Sequence, residues 1–453
     1  MNSIAEYLRD RCRDAACHRV TGQRRIGVEL KFPLVLPEGH AVPRSVVDRL
    51  WSFLSQRGWT PRKDPLTGKV IGVQQAGERN DTLAGCETGY SKIEFSLAHV
   101  ADLNALQLQV DALRATLSEF SVLEGVHFLA YGIHPRTPPN KNLLIEQART
   151  AFWENAFRSN QVLSPDEGDD VHLFTVNATN QVHVDIDEEE AIRVLNVLNG
   201  FAGAQIALTA HSPIWRGAID PTYLCVSEIL WDWWKPAQGR TGVPEKPFKD
   251  LSDYARVLGD LSPVYVKRNG KPLGIMEYPH FHSYYQPCKT QTALNVEKKH
   301  VQVTPCPEDI AQHLTFQWFC ARISRYQTVE NRSNDQQPPE DMTSIAALTL
   351  GLVHSSEEAL HILEKHSWTR LRELRLVACK DCLTSAEANP DLLDLTEQML
   401  RLAEQGLSKR GLGEEKYLDP LFSRFRARTC PAQRAIHLLQ KRGMPELIRV
   451  LSL

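Results

Sequence analysis

The segment NATNQVHVDID, residues 177–187, combines the alternation of a β-strand with side chains that can bind metal ions or anions. Side chains of a strand point alternately to its two faces, so one face of this strand would be apolar. The apolar residues are Val182, Val184 and Ile186, and the polar ones are Gln181, His183, Asp185 and Asp187. A strand whose polar face is only exposed to solvent would more often carry Thr, Lys or Ser on that face. The segment therefore predicts a ligand-binding face, with Asp187 at its end capping the next helix.

Other predicted strands repeat this arrangement of polar side chains. The residues are Glu29 and Lys31 in RIGVELKF, Glu94 in SKIEFS with Glu87 upstream of it, and Glu330 and Arg332 in VENR. Any one of them taken alone is more typical of a rim or salt-bridge residue. Several glutamates on one face would repel one another unless cations lay between them. Carboxylates with one imidazole suit Mg²⁺ or Mn²⁺ better than a structural zinc ion.

The elements that must position these residues follow from hydrophobic periodicity. Strands are predicted at 25–35, 91–100 and 180–187, and amphipathic helices at 102–120 and 188–208. This order indicates an α+β fold rather than strict alternation of strands and helices. The polar stretch GVQQAGERND, residues 72–81, predicts a loop over the site.

The C-terminal part of the sequence has helical periodicity only. Amphipathic segments occupy 355–378, 391–412 and 432–451, and Gly406 and Gly411 are plausible helix stops. A loop at 334–342 precedes them. We expect three parts: an N-terminal helix (1–23), a catalytic domain (24–342) and a helical subdomain (343–453).

Composition narrows the possible functions. The 453 residues are 42% hydrophobic and 24% charged, and the net charge is −3. The chain therefore lacks the overall positive charge that would favour binding to nucleic acid or to an anionic membrane. The sequence shows neither a secretory signal nor an apolar run of membrane-spanning length, and we expect a cytoplasmic protein. Cys379 and Cys382 form a C-x-x-C pair, which in isolation indicates two free thiols rather than zinc.

A set of short motifs, in this order, resembles the glutamate–cysteine ligase type 2 family. The motifs are GVELKF, ETGYSKIEFSLA, GIHPRTPP, NQVHVDID, ALTAHSPIWRG, RTG (240–242) and VENRSNDQQPP. The resemblance covers about residues 24–340. It implies a glutamine-synthetase-like antiparallel sheet with helices packed on one face and a C-terminal helical subdomain. It also implies an ATP-dependent ligase that joins a carboxylate, in the family the γ-carboxylate of glutamate, to the amine of cysteine through an acyl phosphate.

The resemblance assigns roles to the polar residues. The implied ligands of Mg²⁺ or Mn²⁺ are Glu29, Glu87, Glu94, His183 and Glu330. Arg240 and Arg332 are implied to contact ATP phosphate or the substrate carboxylate and are candidate catalytic residues, Lys31 is a candidate ATP contact, and Arg216 is a candidate substrate contact. We expect Gln181 and Asp185 to contact substrate or to orient His183 rather than to bind metal. Relatives usually have an acidic residue at the position of Lys31, so one metal is bound differently here or Lys31 contacts a phosphate. In the strand that contains His183, the sequence is intermediate between the sequence patterns of two groups of relatives.

Three functional hypotheses stay open. The first is a ligase of glutamate and cysteine, and the second is the same mechanism with another acid or amine in a specialised pathway. The third is a non-catalytic nucleotide-binding relative, which the full set of ligand residues disfavours. The sequence lacks G-x-x-x-x-G-K-[ST], so ATP would not be held by a P-loop. The tryptophans of ILWDWWKP and the pair His280 and His282 favour structural roles.

Overall fold

A computed structural model describes residues 2–17, 24–77, 80–234, 239–384 and 389–453. The strands are β1 (Ile26–Val35), β2 (Thr60–Lys63), β3 (Val70–Gln75), β4 (Thr82–Cys86), β5 (Lys92–Ser96), β6 (His127–Phe128), β7 (Asn180–Asp185), β8 (Ile214–Trp215), β9 (Ala218–Ile219), β10 (Thr241–Gly242), β11 (Tyr265–Arg268), β12 (Lys271–Gly274), β13 (Gln291–Leu294), β14 (His300–Val303), β15 (Trp318–Phe319), β16 (Ala321–Ile323) and β17 (Thr328–Asn331).

Helices make up most of the remaining regular structure. They are α1 (Asn2–Cys17), α2 (Arg44–Ser55), α3 (Leu103–Glu124), α4 (Trp153–Ala156), α5 (Glu188–Gly200), α6 (Ala202–Thr209), α7 (Val226–Trp233), α8 (Leu251–Asp260), α9 (Phe281–Tyr284), α10 (Pro307–His313), α11 (Ser344–His354), α12 (Ser356–Leu363), α13 (Trp368–Asp381), α14 (Pro390–Ser408), α15 (Asp419–Ala427) and α16 (Pro431–Leu451). Short 3₁₀ turns connect several of them.

A large antiparallel sheet organises the fold. Its strand order is β16-β17-β7-β1-β5-β4-β3-β2, and β6 pairs with the end of β1. The predicted strands β1, β5 and β7 lie side by side at its centre. The prediction of an antiparallel sheet with helices is therefore confirmed.

The two faces of the central strands differ as their alternation predicts. The apolar side chains of β1 and β7 are fully or almost fully buried among helices, and they include Ile26, Val28, Leu30, Val182 and Val184. Helix α11 packs against β7, and α14 packs against α11. Burial of these side chains supplies the main driving force that holds the sheet to its helices. The polar side chains are left on the opposite face.

The C-terminal residues are helical, as predicted, but they share a core with the sheet. The apolar cluster runs without a break from β1 and β7 through α11 to α14. At the very end of the chain, the backbone carbonyl of Leu451 accepts a hydrogen bond of 2.8 Å from the amide of Ala130. The division of the chain at residues 23 and 342 stays a prediction.

Several local predictions were wrong. The helix expected at 188–208 is two helices, α5 and α6, which meet at Phe201 with a bend of 49°. Of the loop expected at 72–81, residues 72–75 belong to β3, residues 76, 77, 80 and 81 lie in no helix or strand, and residues 78 and 79 lie outside the described ranges. Gly406 does not stop a helix, because it lies inside α14 where that helix crosses α11 at Gly351.

The smaller antiparallel sheet β11-β12-β13-β14 had no counterpart in the predictions. The buried apolar helix α11 lies within the helical part expected at 343–453 but precedes the three amphipathic segments predicted there. Among the helices described, none is by itself long and apolar enough to cross a membrane; α5 and α6 reach that length and composition only as a bent pair.

Candidate active site

The polar face of the central sheet forms one wall of a cavity of about 530 Å³. Strands β1, β5, β7, β16 and β17 each contribute at least one charged or imidazole side chain to this wall. The cavity-lining residues on these strands and next to them include Glu29, Lys31, Glu87, Lys92, Glu94, Gln181, His183, Arg322, Glu330 and Arg332. The structure thus brings together the four segments that the sequence singled out.

Three of the predicted metal ligands form a compact group. One ligand atom each from Glu29, His183 and Glu330 lie within 4.8 Å of one another. Register explains this proximity, because Glu330 is paired directly with His183 across β17 and β7, and β7 is the neighbour of β1. Within the described ranges, no other set of three His, Cys, Asp or Glu side chains groups in this way.

His183 is oriented by the residue that begins β17. Its Nδ1 lies 2.9 Å from Oγ1 of Thr328, and Nε2 lies 3.3 Å from Oε1 of Glu29. Nε2 is buried and makes no hydrogen bond of proper geometry within the part of the chain that is described. When Nδ1 carries the proton and donates it to Thr328, the lone pair of Nε2 points at the carboxylates and is available to a cation.

Two arginines hold Glu330. Nε and Nη2 of Arg322 lie 2.8 and 3.2 Å from its carboxylate oxygens, and Nη1 of Arg332 donates to Oε1. Arg322 also donates to the backbone carbonyls of Thr315 and Gln317. Burial would raise the pKa of Glu330, but the two guanidinium groups outweigh it and lower that pKa to about 2. Glu330 is therefore an anion at neutral pH.

Arg322 was missed in the sequence. It lies in β16 directly opposite Glu330 in β17, so the two side chains share the polar face. The signal that would have found it is the pairing of CARISR with TVEN as a hairpin, since cross-strand neighbours of opposite charge are favoured.

Glu87 and Glu94 have cationic neighbours of their own. Glu87 Oε1 lies 3.1 Å from Arg149, and Oε2 lies 3.7 Å from the ammonium of Lys92. Burial would raise the pKa of Glu87, but Arg149 and Lys92 hold it far below its usual value. Burial, with Glu29 and Glu87 nearby, raises the pKa of Glu94 despite Lys31.

Lys31 lies between the group of Glu29, His183 and Glu330 on one side and Glu94 on the other. Its Nζ is 2.7 Å from Oε1 of Gln181, 2.9 Å from Oε2 of Glu29 and 3.4 Å from Oε2 of Glu94. Burial would lower the pKa of Lys31, but Glu29 and Glu94 more than compensate and raise it above its usual value. The side chain is 7% exposed and is held as a cation inside the wall of the cavity.

Three predicted contacts are not among the residues that line the cavity. Arg216 forms an ion pair of 2.6 Å with Glu167 and lies over the ring of Trp215. Arg240 is a buried residue whose Nη2 donates to Oγ and to the carbonyl of Ser262, and burial lowers the pKa of Arg240 to about 10. The carboxylate of Asp185 accepts from the backbone amide of Arg25 at 3.1 Å. The structure shows packing and pairing roles for these three residues, and their roles in binding stay predictions.

The remaining sequence candidates have local structural roles. Asp187 is the N-cap of α5 and forms a capping box with Glu190, as predicted. Cys379 and Cys382 are buried free thiols. Nδ1 of His280 and Nδ1 of His282 donate to the backbone carbonyls of Asp260 and Gly259, respectively.

Aromatic side chains line another part of the cavity. They include Phe152, Trp153, Phe157, Phe174, Trp231, Tyr265, Phe316 and Trp318. Trp153 stacks on Phe157 with ring centroids 3.9 Å apart, and Trp231 stacks on Phe174 at the same distance. The cavity therefore has a charged wall that suits anions and metal ions and an aromatic wall that suits a planar or apolar group.

Two plant enzymes are similar in sequence to this chain over most of its length. Chloroplastic glutamate–cysteine ligase of Brassica juncea is 24% identical over 382 residues, which are 82% of this chain and 68% of that protein. Chloroplastic glutamate–cysteine ligase A of Oryza sativa subsp. indica is 23% identical over 381 residues, or 82% of this chain and 72% of that protein.

A solved structure shows the same fold. The crystal structure of glutamate–cysteine ligase from Francisella tularensis in complex with AMP matches with a TM-score of 0.53 and 13% sequence identity, over 95% of this chain and 87% of that one. The family model described as glutamate-cysteine ligase family 2 (GCS2) matches residues 25–450. Because that match covers nearly the whole chain, the chain belongs to glutamate–cysteine ligase family 2 and is an ATP-dependent carboxylate–amine ligase.

Proposed function

We propose that this ligase joins the γ-carboxylate of glutamate to the amine of cysteine, with ATP and Mg²⁺ or Mn²⁺. The observation that carries the proposal is the group of Glu29, His183 and Glu330 beside Arg322 and Arg332 in the wall of one cavity. Phosphoryl transfer between two anions requires such an assembly of cations and of ligands for cations.

The donor set fits a divalent metal ion. Two carboxylates and one imidazole offer atoms within 4.8 Å of one another, and Nε2 of His183 is buried without a hydrogen bond of proper geometry in the described part of the chain. Oxygen ligands with a single nitrogen suit Mg²⁺ or Mn²⁺. Such an ion neutralises charge on the phosphate oxygens when it is bound.

The reaction has two steps that the charged wall can support. In the first, an oxygen of the γ-carboxylate bonds to the γ-phosphorus of ATP while the bond from that phosphorus to the departing ADP breaks. In the second, the amine nitrogen bonds to the acyl carbon, inorganic phosphate leaves and the nitrogen loses a proton. Arg332 uses Nη1 for Glu330 and for Gln181, which is 3.3 Å away, so the rest of its guanidinium group can bind phosphate oxygens. Arg322 instead holds Glu330 and two backbone carbonyls in place.

A second candidate function keeps the mechanism and changes the amine. The aromatic wall, with Trp153, Trp231 and Trp318 reaching the cavity, favours an acceptor with a planar or apolar side chain. The same wall can instead receive the adenine of ATP. The two possibilities differ in whether cysteine is accepted better than larger amines.

One assay tests these proposals together. Release of phosphate from ATP would be measured with Mg²⁺ over pairs of acidic amino acids and amines, with mass spectrometry of the product. We expect turnover with glutamate and cysteine and a product equal to their sum minus water. A preference for aromatic amines would support the second candidate. Absence of phosphate release with every pair would instead indicate a non-catalytic relative.

Variants of the purified protein connect the activity to the site. Glu330→Gln removes one charge with little change of shape, and we expect turnover to fall at least about 100-fold. Glu404→Gln changes an exposed residue of α14 in the same way and is the matched control. Full activity of the Glu330 variant would refute the assigned site.

A further inference from the structure

The position of Lys31 on the sheet is unusual for a lysine. It lies in the middle of β1, directly opposite Glu94 of β5, and it is two residues from Glu29 on the same strand. Its side chain is buried, whereas lysines are almost never buried unless they are paired. The chain therefore holds an ammonium group at the centre of a surface that is otherwise rich in carboxylates.

The contacts of this ammonium resemble those of a bound cation. Three oxygens surround Nζ, from Gln181 at 2.7 Å, Glu29 at 2.9 Å and Glu94 at 3.4 Å. The first two are hydrogen bonds, and the third is a longer ion-pair contact. An ammonium has three N–H groups, so one of them has only the long contact and can donate to an anionic oxygen that enters the cavity.

The ammonium separates the predicted metal ligands into two groups. Glu29, His183 and Glu330 stay close enough to share one ion. Glu94 faces Lys31 instead, and the other predicted ligand on that side, Glu87, is paired with Arg149 and Lys92. Within the described residues, no three ligand atoms that include Glu87 or Glu94 lie within 4.8 Å of one another, so that side offers no second compact group for a divalent ion.

We propose that the ammonium of Lys31 is a fixed second cation of the active site, and that the protein side chains bind one divalent ion rather than several. We expect the positive charge of Lys31 to stabilise an oxygen of the phosphoryl or carboxylate group, and only this role of the charge rests on the proposed function. The one-ion geometry itself depends only on the positions of side chains: Glu29, His183 and Glu330 form the compact group, and Lys31 lies between Glu29 and Glu94.

The test counts metal ions without requiring turnover. Equilibrium dialysis and electron paramagnetic resonance with Mn²⁺, in the absence of nucleotide, give the number of ions per full-length chain. We expect one for the wild-type protein, and we expect Glu330→Gln to weaken its binding at least 10-fold. Two or more ions bound to the wild-type protein with similar affinity would overturn the proposal.

Variants of Lys31 and Glu94 sharpen the result. Lys31→Glu replaces the ammonium by a carboxylate and should bind two Mn²⁺ ions per chain, whereas Lys31→Arg keeps the charge and should bind one. Glu94→Gln should leave the affinity of the single ion within about threefold, because Glu94 faces Lys31 rather than the ion. The proposal is contradicted if Lys31→Glu binds the same number as the wild-type protein or if Glu94→Gln is as defective as Glu330→Gln.

The count also separates this inference from the proposed function. A protein that binds one Mn²⁺ but releases no phosphate with any amino acid pair would refute the ligase proposal and support the role of Lys31. An active ligase that binds two ions would support the ligase proposal and refute the proposed role of Lys31. Since the wild-type count alone decides the main point, the test holds even where a Lys31 variant does not fold, which circular dichroism would show.

Discussion

Asp335 gives a quantitative test of the fold that supports the active site. It follows β17 by four residues, and its buried carboxylate ties three segments together. Its Oδ2 accepts from the amide of His211 at 2.5 Å and from Oγ of Ser212 at 2.8 Å, and its Oδ1 accepts from Oγ of Ser227. Burial raises the pKa of Asp335 from 3.8 to about 6 although these donors favour the anion.

The raised pKa has a defined consequence for stability. Because the folded pKa lies above the unfolded one, the contribution of this group is fully present below about pH 4 and is lost as the pH rises through 6. The loss is about 3 kcal/mol in total at about 1.4 kcal/mol per pKa unit, and roughly half of it falls between pH 5 and pH 8. Asp335→Asn keeps the shape of the side chain but removes this titration.

Urea unfolding followed by tryptophan fluorescence measures the effect. We expect the unfolding free energy of the wild-type protein, minus that of Asp335→Asn, to fall by about 1.5 kcal/mol from pH 5 to pH 8. Asp166→Asn changes an exposed aspartate and should show no such trend. A difference that is constant with pH, or that grows as the pH rises, would refute the reasoning.

Three further variants test the site and the core. Arg322→Lys keeps a charge but loses the two-point contact with its carboxylate partner, so kcat should fall at least about 10-fold in steady-state assays while circular dichroism stays unchanged. Thr328→Val removes the oxygen that faces Nδ1 of His183, and Mn²⁺ titration should show about 10- to 100-fold weaker binding; unaltered affinity would contradict the orienting role. In Gly351→Ala the new Cβ would lie 2.2 Å from a backbone carbonyl of α14, and urea unfolding should show a loss of about 1–3 kcal/mol. In the control Gly259→Ala, in α8, the new Cβ would make only ordinary van der Waals contacts, so the unfolding free energy should not fall.

The central strands were predictable because their side chains alternate between two very different surroundings. Predicted bounds of 25–35 and 180–187 compare with the observed Ile26–Val35 and Asn180–Asp185. A shift of one residue would have exchanged the apolar and polar faces, so the pattern determines the orientation of each strand. The polar residues that lie on this alternation, Glu29, His183 and Glu330, are the ones that meet in the cavity.

Predictions that depended on contacts distant in sequence were less successful. The break between α5 and α6 occurs in a segment whose hydrophobic periodicity is continuous, and so does the close helix contact at Gly406. In the second case two helices approach so closely that only glycine fits, which is a property of the pair and not of either helix. For Arg216 and Arg240 the structure adds partners that the sequence did not suggest, Glu167 and Ser262, and their roles in binding stay predictions.

The sequence by itself determined which residue types face which side of each strand, since that is a local consequence of the period of two. It therefore determined that carboxylates and an imidazole would share a polar face. Only the tertiary structure decided their grouping, because strand order and register bring Glu330 opposite His183 and place Lys31 opposite Glu94. The distances between charges decide whether neighbours bind a metal ion together or neutralise one another, and those distances exist only after the strands have paired.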